Sequence, residues 1–425
     1  MIDPTSLRRR APTIDRSTDR VVAVTAIILA VAFLAAALAA MLLPSVDRRG
    51  VWLPLHLALA GGATTAIAGV MPFFAAAFAA APPSDARLRF AAVGAVAVGA
   101  VGATTGVLAG SAIGAGLGGA LFVGGIALTG VATVRPLGGA LGPSRGLISR
   151  GYVAALIEVG VGALLATLYA AGWSPLVVAW ATVKPAHAWL NLVGFASLVV
   201  ATTLLHFFPT VIGARIVVRP SARLTVVGLA VGAPLVALGL AIDSGLVARA
   251  GAIVTAIGAG AIAANAARTW PTRGRWTTDA GWHRFAMGSL IGAIAWFEIG
   301  MAIAVARILL LGSGPATWSI DAIGGPLVAG WIGLAILGSA THLLPAVGPG
   351  DPAAHGRQRR VLGRGALARL AIANAGIAGV SIGWPLRIEW LAGSGLVLLA
   401  VGLGTTAVLL VVALREGLGG GTPRR

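Results

Sequence analysis

The stretch KPAHAWLNLVGFASLVVATTLLHFFPTVIGAR, residues 184–215, decides the fold. It is longer than the roughly 20 apolar residues needed to cross a hydrocarbon core, yet it carries Pro185, His187, Asn191, Thr202, Thr203, His206 and Pro209. At about 1.5 Å per residue a helix sets the two histidines roughly 28 Å apart, so that one lies near each membrane face. Helical stepping from His187 reaches Asn191, Gly194, Leu198 and Thr202, a mostly small or polar stripe that suits a neighbouring helix or a flat ligand better than lipid. His206 points about 100° away from that stripe.

Composition extends this reading to the whole chain. Of 425 residues, 58% are hydrophobic and 10% charged, with 61 glycines and repeated apolar runs of membrane length. Such a chain is an all-α polytopic membrane protein whose partner is the lipid bilayer, not a soluble globule. The net charge of +18 would point to nucleic acid in a soluble protein, but beside membrane spans arginines report orientation, and no nucleic-acid site is expected. With no cysteine there is no disulfide, thiolate-held cluster, CxxCH haem attachment or cysteine copper site; metal chemistry rests on His, Met or carboxylates.

Twelve apolar runs follow one another: 21–43, 52–80, 90–110, 112–134, 151–172, 179–213, 222–243, 246–267, 284–311, 322–347, 366–386 and 389–415. The connections are short, so residues 21–415 read as a single twelve-helix transmembrane domain, flanked by cytoplasmic tails at 1–20 and 416–425. The basic N-terminus precedes an apolar run without a small-residue cleavage signal, which reads as a retained first helix. Of the 31 basic residues, only Arg48, Arg49, Lys184, Arg249, Arg307 and Arg387 fall at the other ends of the helices. That bias places both termini in the cytoplasm, as expected of a multi-pass protein of the plasma membrane.

Internal repetition is the second signal. GFASLVVATTLLHFFP (Gly194 to Pro209) and GWIGLAILGSATHLLP (Gly330 to Pro345) both read G-x3-L-x7-H-x2-P. A similar offset relates Glu158-Val159-Gly160 to Glu298-Ile299-Gly300, one helix earlier in each case. HLALAGG from His56 is similar to the start of the sixth helix, HAWLNLVG from His187. The twelve helices therefore divide into three pseudo-equivalent four-helix repeats, about 21–150, 151–283 and 284–415.

The strings LHLALAGGATTAIAGV, AHAWLNLVGFASLVVATTLLHFFPT and GLAILGSATHLLPAV, on the second, sixth and tenth of twelve helices, resemble subunit I of the haem-copper oxidases and nitric oxide reductases. They are more specifically similar to divergent bacterial members, including membrane domains associated with multicopper oxidases. The resemblance implies haem b as cofactor, with copper as a further possibility, and a redox partner such as a multicopper oxidase or cupredoxin. The chain departs from the family pattern at the oxygen-reducing centre, which requires an adjacent histidine pair on the seventh helix and a closely spaced pair on the tenth. The seventh run has no His, Met or Cys and the tenth carries only His342. Terminal oxidase activity is therefore not expected, and no complete catalytic centre is read.

What remains available is a bis-histidine haem between two facing imidazoles. His56 and His187 form one candidate pair near the outer face, for haem or another metal, and His206 with His342 another near the inner face. The alternative is that these histidines only hydrogen-bond at helix ends. His283 and His355 read as solvated loop residues. Glu158 and Glu298 fall near the bilayer centre, where a carboxylate costs on the order of 2.5 to 3.5 kcal/mol. Both should face the interior, either as a proton or ion relay or in hydrogen bonds to groups such as Asn191, Asn265 or Asn374. Two function classes follow: a b-type haem electron-transfer or sensor protein, or a haem-free transporter or membrane partner built on the same bundle.

The orientation is directly testable because the chain lacks cysteine. Single cysteines at positions 86, 146, 272 and 356 should resist an impermeant thiol reagent in intact cells, while those at 47, 174, 244 and 314 should react. Outside labelling at 146 or 272 reverses the assignment.

Overall fold

In hydrocarbon every backbone N–H and C=O must be satisfied within the chain, which leaves the helix as the available element for runs of this composition. The computed structural model describes residues 17–138, 145–275, 282–314 and 317–419. The tail before residue 17, Trp276, and residues 420–425 lie outside the described residues. Twelve helices are long and apolar enough to cross a membrane: Val21–Ala40, Trp52–Ala79, Ala86–Leu108, Ala112–Leu137, Gly146–Ala170, Ser174–Ile212, Pro220–Ala241, Gly245–Thr272, His283–Leu311, Ile320–Val347, Ala366–Gly383 and Glu389–Leu418. They coincide with the twelve runs read from the sequence, and they are called here the first to twelfth spans.

The spans are not equally enclosed. Their most apolar windows are 78% buried in the sixth, 61% in the tenth and 56% in the second, against 28% in the first and 22% in the twelfth. The outer spans turn Leu, Val and Ile to the lipid face; Leu38, Ile113, Leu246, Leu310 and Val397 are exposed. The second, sixth and tenth spans share another feature. Each contains a π-helical segment: Leu57–Ala63, Leu190–Ser197 and Gly325–Gly333. A π turn widens the helix and re-aims side chains, and hydroxyls support two of the three. Thr64 Oγ1 donates to the Leu59 carbonyl at 2.9 Å and Ser197 Oγ to the Leu192 carbonyl at 2.8 Å, each five residues back.

Paired small residues close the bundle elsewhere, again with a period of four spans. A Cβ on Gly118 would meet the backbone nitrogen of Ala103, joining the fourth span to the third; one on Gly251 would meet that of Val236, joining the eighth to the seventh; one on Gly395 would meet that of Val380, joining the twelfth to the eleventh. Because lipid tails are as apolar as leucine, close backbone approach supplies the packing energy that a hydrophobic drive cannot.

Two readings of the connections are corrected. The segment after the tenth span is not an irregular arginine-rich loop but a helix, Pro352–Gly363, in which His355 is half-buried. Asp351 caps it by accepting from the Ala354 N–H at 2.7 Å, and Pro352 occupies the first turn where no N–H is needed. Arg357 ties it to Glu416 of the twelfth span at 2.9 Å. His283 likewise is not a solvated loop residue: it begins the ninth span, half-buried, with its ring 6.2 Å from that of His342.

The glycine seams give a sharp contrast between two sites on the fourth span. Gly118→Val should destabilise the detergent-solubilised protein by about 1–3 kcal/mol, read as a lower thermal midpoint. Gly124→Val, where an added Cβ meets nothing within 4 Å, should leave that midpoint unchanged.

Candidate functional site

His56 lies one turn into the second span. Its Nδ1 is 2.7 Å from the Trp52 carbonyl four residues back, and the Trp52 ring lies 4.4 Å away at 31°. His187, in the first half of the sixth span, has its Nδ1 2.7 Å from the Gly162 carbonyl of the fifth span. That carbonyl is within reach because Gly162 carries no side chain: a Cβ there would meet the Asn191 amide. Asn191 donates from Nδ2 to the His187 carbonyl at 2.6 Å and lies 3.2 Å from His187 Nδ1. The Gly162 contact is the shorter and can be satisfied only if His187 Nδ1 carries the proton, so Asn191 serves the backbone carbonyl and not the ring.

With both Nδ1 atoms committed to carbonyls, each ring keeps Nε2 as its lone-pair nitrogen. The two rings lie with centroids 6.4 Å apart and planes 7° from parallel. At that separation they are parallel ring neighbours, toward the long end of the range for such pairs. Two imidazoles on opposite sides of one metal, with nitrogen–metal bonds of about 2 Å, would place their centroids roughly 6 Å apart once the ring radii are added. Anchoring the distal nitrogen on a carbonyl is also how metal-binding histidines are held in orientation. The centroid separation of the pair is close to that roughly 6 Å figure.

The space around the pair fits a flat macrocycle. A cavity of about 790 Å³, lined by His56 and His187, opens among the second to sixth spans and the start of the tenth. That lies within the usual range for cofactor sites. Alanine is its commonest lining residue, and Ala60, Ala103, Gly106, Ala115, Gly119 and Ala166 are joined by the larger Phe122, Phe195, Trp52 and Trp180. Trp180 stacks on Tyr169 at 3.9 Å and 7°, and lies 6.0 Å from the His187 ring. No sequence signal had singled out Trp180, Tyr169, Gly162 or the glycine-rich third and fourth spans as part of this site; each arrives through helix packing.

The inner histidines are arranged differently. His206 is buried with its ring 5.2 Å from Phe78, while His342 has Phe207 at 5.6 Å and His283 at 6.2 Å, with the two imidazole planes at 57°. Among the described residues Phe207 and His283 are ring neighbours of His342, and Phe78 is one of His206. Among the described residues no group of three or more His, Asp or Glu side chains gathers as a ligand set.

Glu158 is 5% exposed, and neither carboxyl oxygen has a hydrogen-bond partner. It lies against the π-helical segment of the sixth span, where a Cβ on Gly194 would collide with its carboxyl group. The amides considered as partners are engaged elsewhere: Asn191 with His187, Asn265 with Ser221 at 3.3 Å, and Asn374 with Trp296 at 2.8 Å. Glu298 is half-buried, with Oε1 enclosed and without a hydrogen bond. The glycine that corresponds to Gly194, Gly330, is covered by Trp296 and not by Glu298, so the two glutamates share an inward setting but not the same neighbours.

Compared by sequence, the chain matches no family model and no curated protein. Compared by fold, it matches a heme-copper terminal oxidase dimer solved by cryo-EM, with a TM-score of 0.66 and 14% sequence identity, over 96% of this chain and 85% of that one. At that identity the likeness is one of fold. The chain has the twelve-span architecture of a haem-copper oxidase, as its second, sixth and tenth helices led us to expect.

The contact between Gly194 and Glu158 yields a coupled prediction. Gly194→Val should lower stability by roughly 1–3 kcal/mol through overpacking. Adding Glu158→Ala should recover part of that loss, because the second change vacates the volume the first requires. Thermal unfolding of the two single variants and the double variant measures the coupling.

Proposed function

We propose that this membrane protein is a haem carrier of the haem-copper oxidase fold, with one b-type haem held between His56 and His187 near the outer membrane face. The observation that carries the proposal is the geometry of the pair: parallel imidazoles 6.4 Å apart, each fixed through Nδ1, in a cavity of about 790 Å³. A haem in that position would supply one-electron chemistry at its iron.

The chain's own residues set the terms. Trp52 and Gly162 orient the imidazoles through their carbonyls, and the Ala- and Gly-lined walls admit a flat ring while excluding bulk water from its faces. His56 and His187 would together hold the iron from the protein side. The seventh span, Pro220–Ala241, carries no His, Cys or Met to build a second metal centre beside it. Electron transfer or redox sensing suits such a site, and terminal oxidation does not. An outer-face partner such as a cupredoxin or multicopper oxidase fits the position of the pair, with both chain termini in the cytoplasm of a prokaryotic cell.

A second reading is favoured by one observation, the isolation of Glu158. An ionised carboxylate there would need a counter-charge that the described residues do not supply. Glu158, with Glu298, would then handle a proton or cation, in a haem-free transporter or alongside the haem.

The reduced-minus-oxidised spectrum of the purified protein tests the first reading. A b-type low-spin signature should be present, should be lost in both His56→Ala and His187→Ala, and should survive in His206→Ala and His342→Ala. A signal that persists in the His56→Ala/His187→Ala double variant removes the site. Bound copper in place of haem would reassign the pair to a different metal, and proton-coupled uptake in a spectrally silent protein would favour the transport reading.

A further inference from the structure

The helix Pro352–Gly363, between the tenth and eleventh spans, is amphipathic. Its inward residues Ala354, Gln358, Val361 and Leu362 are buried, and Val361 and Leu362 cluster with Ala413 of the twelfth span. Leu344 of the tenth span and Leu409 and Leu410 of the twelfth pack against that cluster. The twelfth span runs for 30 residues, about 45 Å of helix, which exceeds a hydrocarbon core of roughly 30 Å. Its last turns, which end at Leu418, therefore reach headgroup depth, and the connecting helix lies beside them.

The outward face carries arginine. Arg360 and Arg364 are exposed, and residues four apart on a helix lie one above the other with Cβ atoms roughly 5–6 Å apart. The acids of this region are committed: Asp351 caps the helix through the Ala354 N–H, and Glu416 pairs with Arg357. No other Asp or Glu occurs within residues 348–370 or 409–419. The exposed apolar side chains at this end of the bundle include Leu367, in the first turn of the eleventh span, and Leu418. An anionic diacyl lipid satisfies both halves of this surface, its phosphate against the two guanidinium groups and its chains against leucine. A nucleic acid or an acidic peptide would meet the arginines and leave the leucines in water.

We infer that Arg360 and Arg364 form a docking site for the phosphate of an anionic phospholipid whose acyl chains run along Leu367, so that this corner of the bundle selects charged over zwitterionic lipid. The site is independent of the haem reading. The helix is already fixed by its cap, its apolar cluster and the Arg357–Glu416 pair, so the lipid meets a preformed surface. Because both arginines are exposed, the preference should weaken as salt rises.

The absence of cysteine from the chain allows a local readout. A fluorophore on Leu367→Cys of the full-length protein, in phosphatidylcholine nanodiscs, would be quenched by small amounts of brominated phosphatidylglycerol or brominated phosphatidylcholine. Phosphatidylglycerol should associate about five- to thirtyfold more strongly, as expected for one to two arginines near an anionic headgroup. Arg360→Gln/Arg364→Gln should abolish that preference; the fold does not depend on these side chains, since Arg364 meets Arg369 through its backbone carbonyl. Arg360→Lys/Arg364→Lys, which keeps both charges, should retain a preference. Arg215→Gln/Arg223→Gln, which removes two exposed arginines elsewhere on the same side of the membrane, should leave it intact, as should inorganic phosphate in place of chloride at equal ionic strength. Equal quenching by the two lipids, a preference that survives Arg360→Gln/Arg364→Gln, or one that falls equally in both glutamine double variants overturns the site. Loss of the preference in inorganic phosphate reassigns the pair to a free anion and overturns lipid docking. Absence of quenching by either lipid means that water or another macromolecule covers this face, and overturns it too.

Discussion

The structure depends on one constraint: in a bilayer, each backbone polar group that leaves its helical partner must find another inside the protein. Lipid-facing helices have no room to deviate. The first and twelfth spans, largely exposed, carry no π-helical segment, whereas the second, sixth and tenth, which are deeply enclosed, each contain one. Neighbouring hydroxyls satisfy part of the altered ladder, as Thr64 and Ser197 do. The widened turns of the second and sixth spans lie directly after the segments that carry His56 and His187, so irregularity in the backbone is concentrated where it lines a cavity.

Small residues act in two opposite ways in this bundle. Between the third and fourth, seventh and eighth, and eleventh and twelfth spans, glycine lets one backbone rest on the next, and nothing fits between them. Between the fifth and sixth, Gly162 makes room for Asn191 and presents its own carbonyl to His187, and Gly194 makes room for the buried carboxyl of Glu158. The corresponding crossing of the ninth and tenth spans is filled differently. Trp296 covers Gly330, Leu327 covers Gly300, and Phe297 packs on Trp331 at 4.5 Å. The recurring architecture is open at one such crossing and plugged by aromatic and aliphatic side chains at another.

Buried charge follows the same contrast. Arg369, 4% exposed, is fully engaged: Nε donates to the Arg364 carbonyl at 3.0 Å, Nη1 to Thr406 Oγ1 at 2.9 Å, and the guanidinium lies 4.2 Å over the Phe285 ring. It fastens the eleventh span to the twelfth, and its charge is spread over carbonyl dipoles and a ring face. Glu158 is equally buried and has no such set. A satisfied buried charge reads as structure, whereas the lack of partners at Glu158 is what motivates the proton or cation reading proposed for it.

By itself the sequence determined the solvent, the element type and the number of spans. Run length and the scarcity of charge leave a helix crossing lipid as the outcome, and this holds wherever the chain later packs. It also identified His56 and His187 as related positions through their recurring strings, and Glu158 as an inward carboxyl through its cost in lipid. Only the tertiary structure decided which histidines meet. Helical period fixes the face on which a side chain lies but not the helix across from it, and so the sequence did not indicate that His283 lies beside His342. The helix at Pro352–Gly363 and the cavity itself were likewise beyond the sequence. The first forms because a local cap and an ion pair to a distant span outweigh a weakly apolar composition, and the second exists because five spans carry their small residues to one place, a coincidence of packing that no single run encodes.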